Sequence, residues 1–456
     1  MINDFYYSIF LTLTIFFHTL NMQIILLALP FLAILSCWIY LIVNSIRSFY
    51  ILKSISVKKG LINNSNNCKS KDVFPYVSVI VPARNEQDNI ERSLISLMEQ
   101  NYPNFEIIAI DDDSTDNTLI KMKKVQQKYL YQKQKQKQKK YPILKIIELK
   151  DKPEDWTGKT WASEKGYLES HNDVLIFVDA DTYFKKNCIL YAISYMINED
   201  LDVLTGYPFT ELRDFWSKIT IPLWKLMYIT FGKNASNVNN PKSKIAYLMG
   251  CFFIIKRNIF ENLGTFRSVR NAIQEDALLG IKIKHSGYKL KMIPMDNQMH
   301  ALWTRDLSTL WHGIGRTLAP MILKEKRKVI INFLTIFFMT TLPFIILFAS
   351  TIIIGLYNTE LSITKNGNCN YYCIILILNI IIFIIIILTI ALESRKTFKI
   401  SPLYALLYPI GSIFLIIAHL STLIPLSLHI GKHYSKKTIE WKGRIYTYKR
   451  VGGSMI

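Results

Sequence analysis

Three groups of carboxylates carry the strongest chemical signal in the sequence. Asp111, Asp112 and Asp113 are adjacent and are followed by Ser114, Thr115 and Asp116; Asp179 and Asp181 are one residue apart; Glu275 and Asp276 adjoin. Adjacent carboxylates repel one another, so such clusters are costly unless they are solvated or met by hydrogen-bond donors or cations. An Asp-x-Asp pair on an extended chain points both carboxylates the same way, giving a hard-oxygen pair suited to Mg²⁺ or Mn²⁺ shared with phosphate oxygens. Helix capping is the bland alternative. Ser114 or Thr115 as an N-cap, with Asp116 in the first turn, accounts for part of the first group but not for Asp111 and Asp112. Glu275-Asp276, taken alone, reads as favourable charge at the start of a helix over Ala277 to Ile283.

Short elements must hold these groups. Tyr76–Val81, Phe105–Ile110, Leu144–Leu149 and Val174–Val178 are apolar, β-branched runs separated by stretches long enough for helices. That alternation predicts an α/β region whose parallel sheet is covered on both faces. In such sheets ligands bind beyond the carboxyl ends of the strands, which is where the acids stand. Pro82 is expected to stop the first ladder and Glu86 to open a helix.

The chain of 456 residues has 55 Lys+Arg against 34 Asp+Glu, a net charge of +21, and is 50% hydrophobic. So apolar a chain is not a soluble nucleic-acid binder, and it is too apolar for intrinsic disorder. Met22–Val43 carries no charge and is long enough to cross roughly 30 Å of hydrocarbon. Three further uncharged runs, 329–357, 371–392 and 403–430, follow a central region. The first basic residue apart from His18 is Arg47, after the apolar run, so the N-terminus reads as an uncleaved anchor over 1–45 rather than a signal peptide. Residues 5–20 form either a second short membrane segment or an extension upstream of a start at Met22. The six cysteines show no zinc spacing. Cys369 and Cys373 would pair only in an oxidising compartment, and free thiols are the expected state.

Lys and Arg collect on the cytoplasmic side of membrane proteins. Arg47, Lys53, Lys58 and Lys59 follow the first apolar run, through a linker over 46–72, and Lys324, Lys326, Arg327 and Lys328 precede the second, so the central region is expected in the cytoplasm of a multi-pass protein. Three helices over 321–430 would then leave the basic tail, 431–456, outside; a re-entrant hairpin through Pro402, Pro409, Gly411 and Pro425 would return it, and a cytoplasmic tail is the reading favoured. Residues 121–150, 324–328 and 431–456 contribute +10, +3 and +6, together +19 of the +21. The charge is thus read as membrane orientation plus a lysine/glutamine-rich insertion over about 121–142, which is either a solvated insertion without function or a contact for anionic lipid.

The motifs VSVIVPARNEQDNI, EIIAIDDDSTDNT, DVLIFVDADT and QEDALLG, in that order, closely resemble those of family 2 glycosyltransferases of the GT-A fold, over about residues 73–320. WTGKTWA at Trp156–Ala162 and the tail IEWKGRIY are similar to the membrane-bound branch containing carotenoid (staphyloxanthin-type) and hopanoid-associated glycosyltransferases. The resemblance implies a Rossmann-like, mostly parallel catalytic domain flanked by transmembrane helices. It implies a nucleotide site lined by Pro82, Ala83, Glu86, Asp111, Asp112 and Asp179, with Asp181 and Asp179 holding Mg²⁺ or Mn²⁺. Asp276 would be the general base of an inverting transfer of one sugar, from a nucleotide-diphosphate sugar such as a UDP-sugar to a lipid acceptor at the cytoplasmic membrane face.

Lys159 would be a cation for the diphosphate, or else a surface lysine. Arg316 is placed as a diphosphate contact ahead of His312, and Trp156 and Trp161 are read as packing before sugar stacking. Asp113 stands where the family pattern has Gly, so a different turn is expected there. Gln298 is followed by Met-His-Ala-Leu-Trp rather than the QxxRW of processive synthases, which favours single transfer. Within enzymes the alternative is a polyprenyl-phosphate sugar transferase or a polysaccharide synthase; outside them it is a membrane protein binding anionic ligands. Nucleic acid is not an expected partner.

Overall fold

In the computed structural model, which describes residues 22–57, 74–135, 141–230, 235–360, 369–428, 437–448, 450–451 and 454–455, the apolar runs become strands. The strands β1 (Val77–Ala83), β2 (Phe105–Asp112), β3 (Ile143–Leu149) and β4 (Val174–Val178) lie parallel. They are followed by β5 (Thr182–Phe184), β6 (Val203–Tyr207), β7 (Phe209–Leu212), β8 (Phe252–Lys256), β9 (Leu290–Pro294) and β10 (Met299–Thr304). One sheet has the order β3-β2-β1-β4-β8-β6-β9, with β8 antiparallel to both its neighbours; β5, β10 and β7 make a second, three-stranded sheet. The fold is therefore α/β with a mixed, mostly parallel sheet.

Period-two patterning builds the core. Val77, Val79, Val81, Ile107 and Ala109 face one layer, with the helices Ile90–Met98 and Cys188–Asn198; Ile80, Ile108 and Ile110 face the other, with the helices Gly158–Leu168 and Glu275–His285. Each such side chain, fully buried, contributes about 1.5–3 kcal/mol. Gly166 lets its helix lie against the sheet, since a Cβ there would stand 2.7 Å from Ile110 Cδ1.

Two local expectations are corrected. β1 continues through Pro82 to Ala83, in register with Ile110 and Asp111 of β2. Its other neighbour, β4, pairs only with Val77 to Ile80, so the N–H that Pro82 lacks falls where the ladder on that side has already ended. Glu86 opens a turn and the helix begins at Ile90. Over its first part the lysine-rich stretch is helical: Thr118–Lys135 is the crossover helix between β2 and β3, burying Met122, Val125 and Tyr129. Residues 136–140 lie outside the described residues.

The chain divides into two units. Ile46–Lys218, Tyr228–Val329 and Ala418–Ile456 carry the sheets, together with a hairpin of β11 (Lys437–Trp441) and β12 (Arg444–Tyr448). Met1–Ser45, Ile219–Met227 and Ile330–Ile417 form the apolar unit. Among the described residues four helical segments are long and apolar enough to cross a membrane: Leu29–Ile46, Lys326–Ile352, Leu376–Lys396 and Pro402–Ile424. Inside that unit the fully buried Trp38 donates to the Met339 carbonyl at 3.0 Å. Buried Glu393 is paired with Lys225 and accepts from Ser45 at 3.0 Å, as a charge in apolar surroundings requires. Residues 5–20, and the side chains of Cys369 and Cys373, lie outside what is described.

Candidate active site

Strand order reverses around β1, with β2 on one side and β4 on the other, so a crevice opens beyond their carboxyl ends. The acids stand there. Register sets Ala83 beside Asp111, and β2 runs on to Asp112, so both aspartates are strand residues held in the sheet, 4% and 3% exposed. Burial pushes both carboxyls up; the hydrogen bond to Ser114 opposes this at Asp111, and the Arg444 guanidinium opposes it at Asp112. Asp111 Oδ2 accepts from Ser114 N at 3.2 Å, but Oδ1 of Asp111 and Oδ1 of Asp112 are buried with no hydrogen-bond partner. Such orphaned acceptors mark the place where a donor belongs.

In the turn after β2, Asp113 has a φ of 54°, the left-handed conformation that glycine favours and aspartate tolerates. Arg84 fixes this turn by donating to the carbonyls of Asp112 and Asp113. Asp116 accepts from Thr118 N at 2.9 Å from just ahead of the crossover helix, which starts at Thr118, so neither Ser114 nor Thr115 stands at its N-cap and Asp116 is not in its first turn as expected.

Asp179-Ala180-Asp181 is not extended. Thr182 N donates to Asp179 O at 3.2 Å, closing a turn that carries the chain from β4 in one sheet to β5 in the other. Asp179 and Asp181 are nevertheless close enough to influence one another. Burial, then the charges of Asp179 and Glu86, push the Asp181 carboxyl up to about 7, against the pull of Lys442 and Lys159.

Lys159 stands in the first turn of the helix Gly158–Leu168, whose N-cap, Thr157, accepts from Thr160 N. Its ammonium lies 2.7 Å from Asp179 Oδ1 and 3.0 Å from Glu275 Oε1, only 20% exposed. Burial alone would lower its pKa, but Asp179, Glu275 and Asp276 hold it well above the usual value. It is an interior ion-pair residue and not a surface lysine. Glu275 and Asp276 open the helix Glu275–His285, and Asp276 Oδ1 accepts from Ala277 N at 2.7 Å. Burial pushes Glu275 up to about 7 and raises Asp276, with Lys159 opposing both. The space beside them is kept by Gly250: a Cβ there would lie 2.9 Å from Asp276 Oδ2 and 3.1 Å from Lys159 Nζ.

Glu86 is more heavily engaged than its sequence position implies. It accepts from Asn89 at 2.9 Å, pairs with Arg305 at 3.0 Å and pairs with Lys442. Arg444 of the same tail hairpin is on Asp112, and Tyr446 Oη accepts from Gly158 N at 3.0 Å. Sequence reasoning did not assign Arg84, Arg305, Lys442, Arg444 or Tyr446. The available signals were the tail string IEWKGRIY for Lys442, Arg444 and Tyr446, and the motif VSVIVPARNEQDNI for Arg84. Arg316 is half-buried on the helix Leu307–Ile336, next to Thr317, whose carbonyl accepts from Gln274 at 3.1 Å. His312 is exposed, its ring nitrogen 2.7 Å from Ser308 O. Trp156 and Trp161 pack edge-to-face on each other.

Among the described residues no group of three or more His, Cys, Asp or Glu side chains is arranged to hold a metal. Asp179 and Asp181 offer two hard carboxylates, and a divalent cation held by this pair would have to take its remaining ligands from phosphate and water.

Residues 78–264 match the family model described as Glycosyl transferase family 2. The chain is 27% identical over 278 residues to a probable glycosyltransferase, YdaM, of Bacillus subtilis, covering 59% of this chain and 62% of the relative. It is 26% identical over 261 residues to the poly-beta-1,6-N-acetyl-D-glucosamine synthase of Staphylococcus epidermidis, covering 56% of each. It is 22% identical over 256 residues to the 4,4'-diaponeurosporenoate glycosyltransferase of Staphylococcus aureus, covering 55% of this chain and 62% of the relative. The chain thus spans less than two thirds of the length of each of these relatives.

Proposed function

We propose, from the premise that residues 78–264 are a family 2 glycosyltransferase domain, that this protein is a membrane-bound inverting enzyme. It transfers one sugar from a nucleotide-diphosphate sugar, with UDP the expected nucleotide, to a lipid acceptor at the cytoplasmic membrane face. The observation that carries this reading is the shared lysine: Lys159 joins Asp179, on the donor side, to Glu275, beside the base.

Asp276 takes the proton from the acceptor hydroxyl. Its pKa, raised by burial, brings it nearer the working pH than an ordinary aspartate. Asp111 and Asp112 offer their unpartnered oxygens to the base and ribose, with Pro82 and Ala83 forming the floor between strand ends. Asp179 and Asp181 would hold Mg²⁺ or Mn²⁺, which supplies electrostatic stabilisation to the departing diphosphate. Lys159 adds a fixed positive charge on the same side. Attack opposite the leaving group inverts the anomeric centre. The similarity to a diaponeurosporenoate glycosyltransferase and the four apolar segments support a lipid acceptor.

Incubating the full-length protein in detergent with a panel of nucleotide-sugars, Mg²⁺ or Mn²⁺ and a native lipid extract, followed by mass spectrometry of the lipids, tests the reading. A singly glycosylated lipid is expected, lost in Asp276→Asn and Asp181→Asn. Turnover untouched by both substitutions would overturn it. The similarity to a poly-beta-1,6-N-acetyl-D-glucosamine synthase favours processive polymerisation as the second reading, and a polymeric product would select it.

A further inference from the structure

The tail hairpin has an unusual tip. Trp441 pairs with Arg444, leaving Lys442 and Gly443 as a two-residue loop, and both have positive φ, 53° and 73°. That is the primed turn which best joins twisted strands, normally built from Asn, Asp or Gly. A lysine held in the left-handed region is strained, and strain of this kind persists where surrounding contacts enforce it. Those contacts are on the strand ends. Arg84 Nε donates to the Lys442 carbonyl at 3.0 Å, the Lys442 ammonium is on Glu86, and Arg444 is on Asp112 and 3.8 Å from Asp113. Tyr446 packs against Ile273 and Ala319 while its hydroxyl receives Gly158 N–H.

Charge explains what such a tip would do. Glu86, Asp111, Asp112, Asp113, Asp179 and Asp181 gather at the strand ends and would repel a nucleoside diphosphate. Besides Lys159, held between Asp179 and Glu275, and Arg84, on the turn after β2, the hairpin brings two further cations to these acids, Lys442 on Glu86 and Arg444 on Asp112. The orphaned Oδ1 atoms of buried Asp111 and Asp112, the second on the carboxylate that Arg444 pairs with, are the independent sign that a ligand's donors belong there.

We propose that the hairpin tip is the closing wall of the donor site, and that Lys442 and Arg444 are donor-binding residues whose cations meet the anionic nucleoside diphosphate once it enters over Asp111 and Asp112. This deepens the glycosyltransferase reading and rests on it. The hairpin is then part of the site and not a plug. Nucleotide and tail stabilise each other's placement, as linkage requires.

The test uses full-length protein in detergent and calorimetric titration with UDP, GDP, dTDP and CDP in Mn²⁺, with uridine as an uncharged probe. If wild type binds one diphosphate, Lys442→Ala and Arg444→Ala are expected to weaken it tenfold or more, to change uridine binding less than threefold, and to leave the melting temperature within a few degrees. Arg444→Lys should recover part of the loss. The bound diphosphate should also slow tryptic cleavage after Lys442 and Arg444 at least fivefold. Diphosphate affinity unchanged or tightened in both alanine variants overturns the donor-wall assignment and leaves the glycosyltransferase reading standing. Wild type binding none of the four diphosphates overturns the glycosyltransferase reading, and the inference with it.

Discussion

The Lys159 ammonium lies 2.7 Å from Asp179 Oδ1 while also reaching Glu275, so a single cation holds the end of β4 to the start of the helix Glu275–His285. Replacing it by methionine leaves two carboxylates without their partner in a half-buried crevice. Loss of one partner of a buried pair costs about 3 kcal/mol or more, and loss of one stabilising charge at a reacting centre costs on the order of a hundredfold in rate. Lys159→Met should therefore lower both the melting temperature and kcat. Lys159→Arg keeps the charge but not the fit, so it should restore the first more than the second.

Glu275 gives a pH signature. Its carboxyl, ordinarily near 4.5, is pushed up to about 7 by burial. Between these values the folded chain holds a proton that the unfolded chain releases. The contribution of Glu275 to stability is thus fully present below about pH 4.5 and is lost as pH rises through about 7, by on the order of 3 kcal/mol. Melting temperatures of wild type and Glu275→Gln across this range should diverge in slope, the wild type falling more steeply toward alkaline pH. Parallel curves would contradict the assignment.

Gly250 keeps open the space beside Asp276 and Lys159. An alanine methyl would press on Asp276, the proposed base, and misplacement of a reacting group by about 1 Å costs roughly a hundredfold in rate. In Gly250→Ala, kcat is expected to drop by about that factor with the donor dissociation constant unchanged. Single-turnover kinetics alongside equilibrium donor binding would separate the two.

Removing divalent cations should weaken wild-type nucleoside diphosphate binding at least about tenfold. In Asp181→Asn, chelator should make no further difference. A variant that still responded fully to chelator would move the cation site away from Asp181.

The hairpin and the strand ends share hydrogen bonds, so residues 437–448 and the sheet-bearing unit are expected on the same side of any membrane that the candidate spans cross. Three candidate spans lie between them in sequence, and an odd number of crossings would part them. Single cysteines introduced at exposed positions 151 and 443 of a cysteine-free variant should react equally with an impermeant maleimide, in inside-out vesicles but not in intact cells. Labelling of one without the other would contradict the contact.

Much of the site was legible because it depends on local pattern. A β-branched run that ends in acids declares a strand and its carboxyl end, and Val174–Val178 agrees in both bounds with the strand expected. β2 was read two residues short because aspartate disfavours strands, whereas here Asp111 and Asp112 remain in register with Glu148 and Leu149 of β3. Lys159 stayed open between two readings, since nothing near it in sequence reveals the acids that trap it. Lys442 and Arg444 were beyond reach for the same reason: Arg444 and Asp112 are 332 residues apart. Local periodicity carries no information on pairings of that range.

Synthesis order gives the hairpin a further meaning. Domains form as the chain emerges, amino-terminal parts first, and Lys442 and Arg444 follow every candidate span in sequence. The strand-end acids are made early and receive these two cations only after the last apolar helix has been laid down. A fragment cut near residue 320 to obtain a soluble enzyme would keep Glu86, Asp112 and the shared lysine but would lack the partners that hold Glu86 and Asp112 from the tail. Its behaviour toward nucleotides would describe an unfinished molecule.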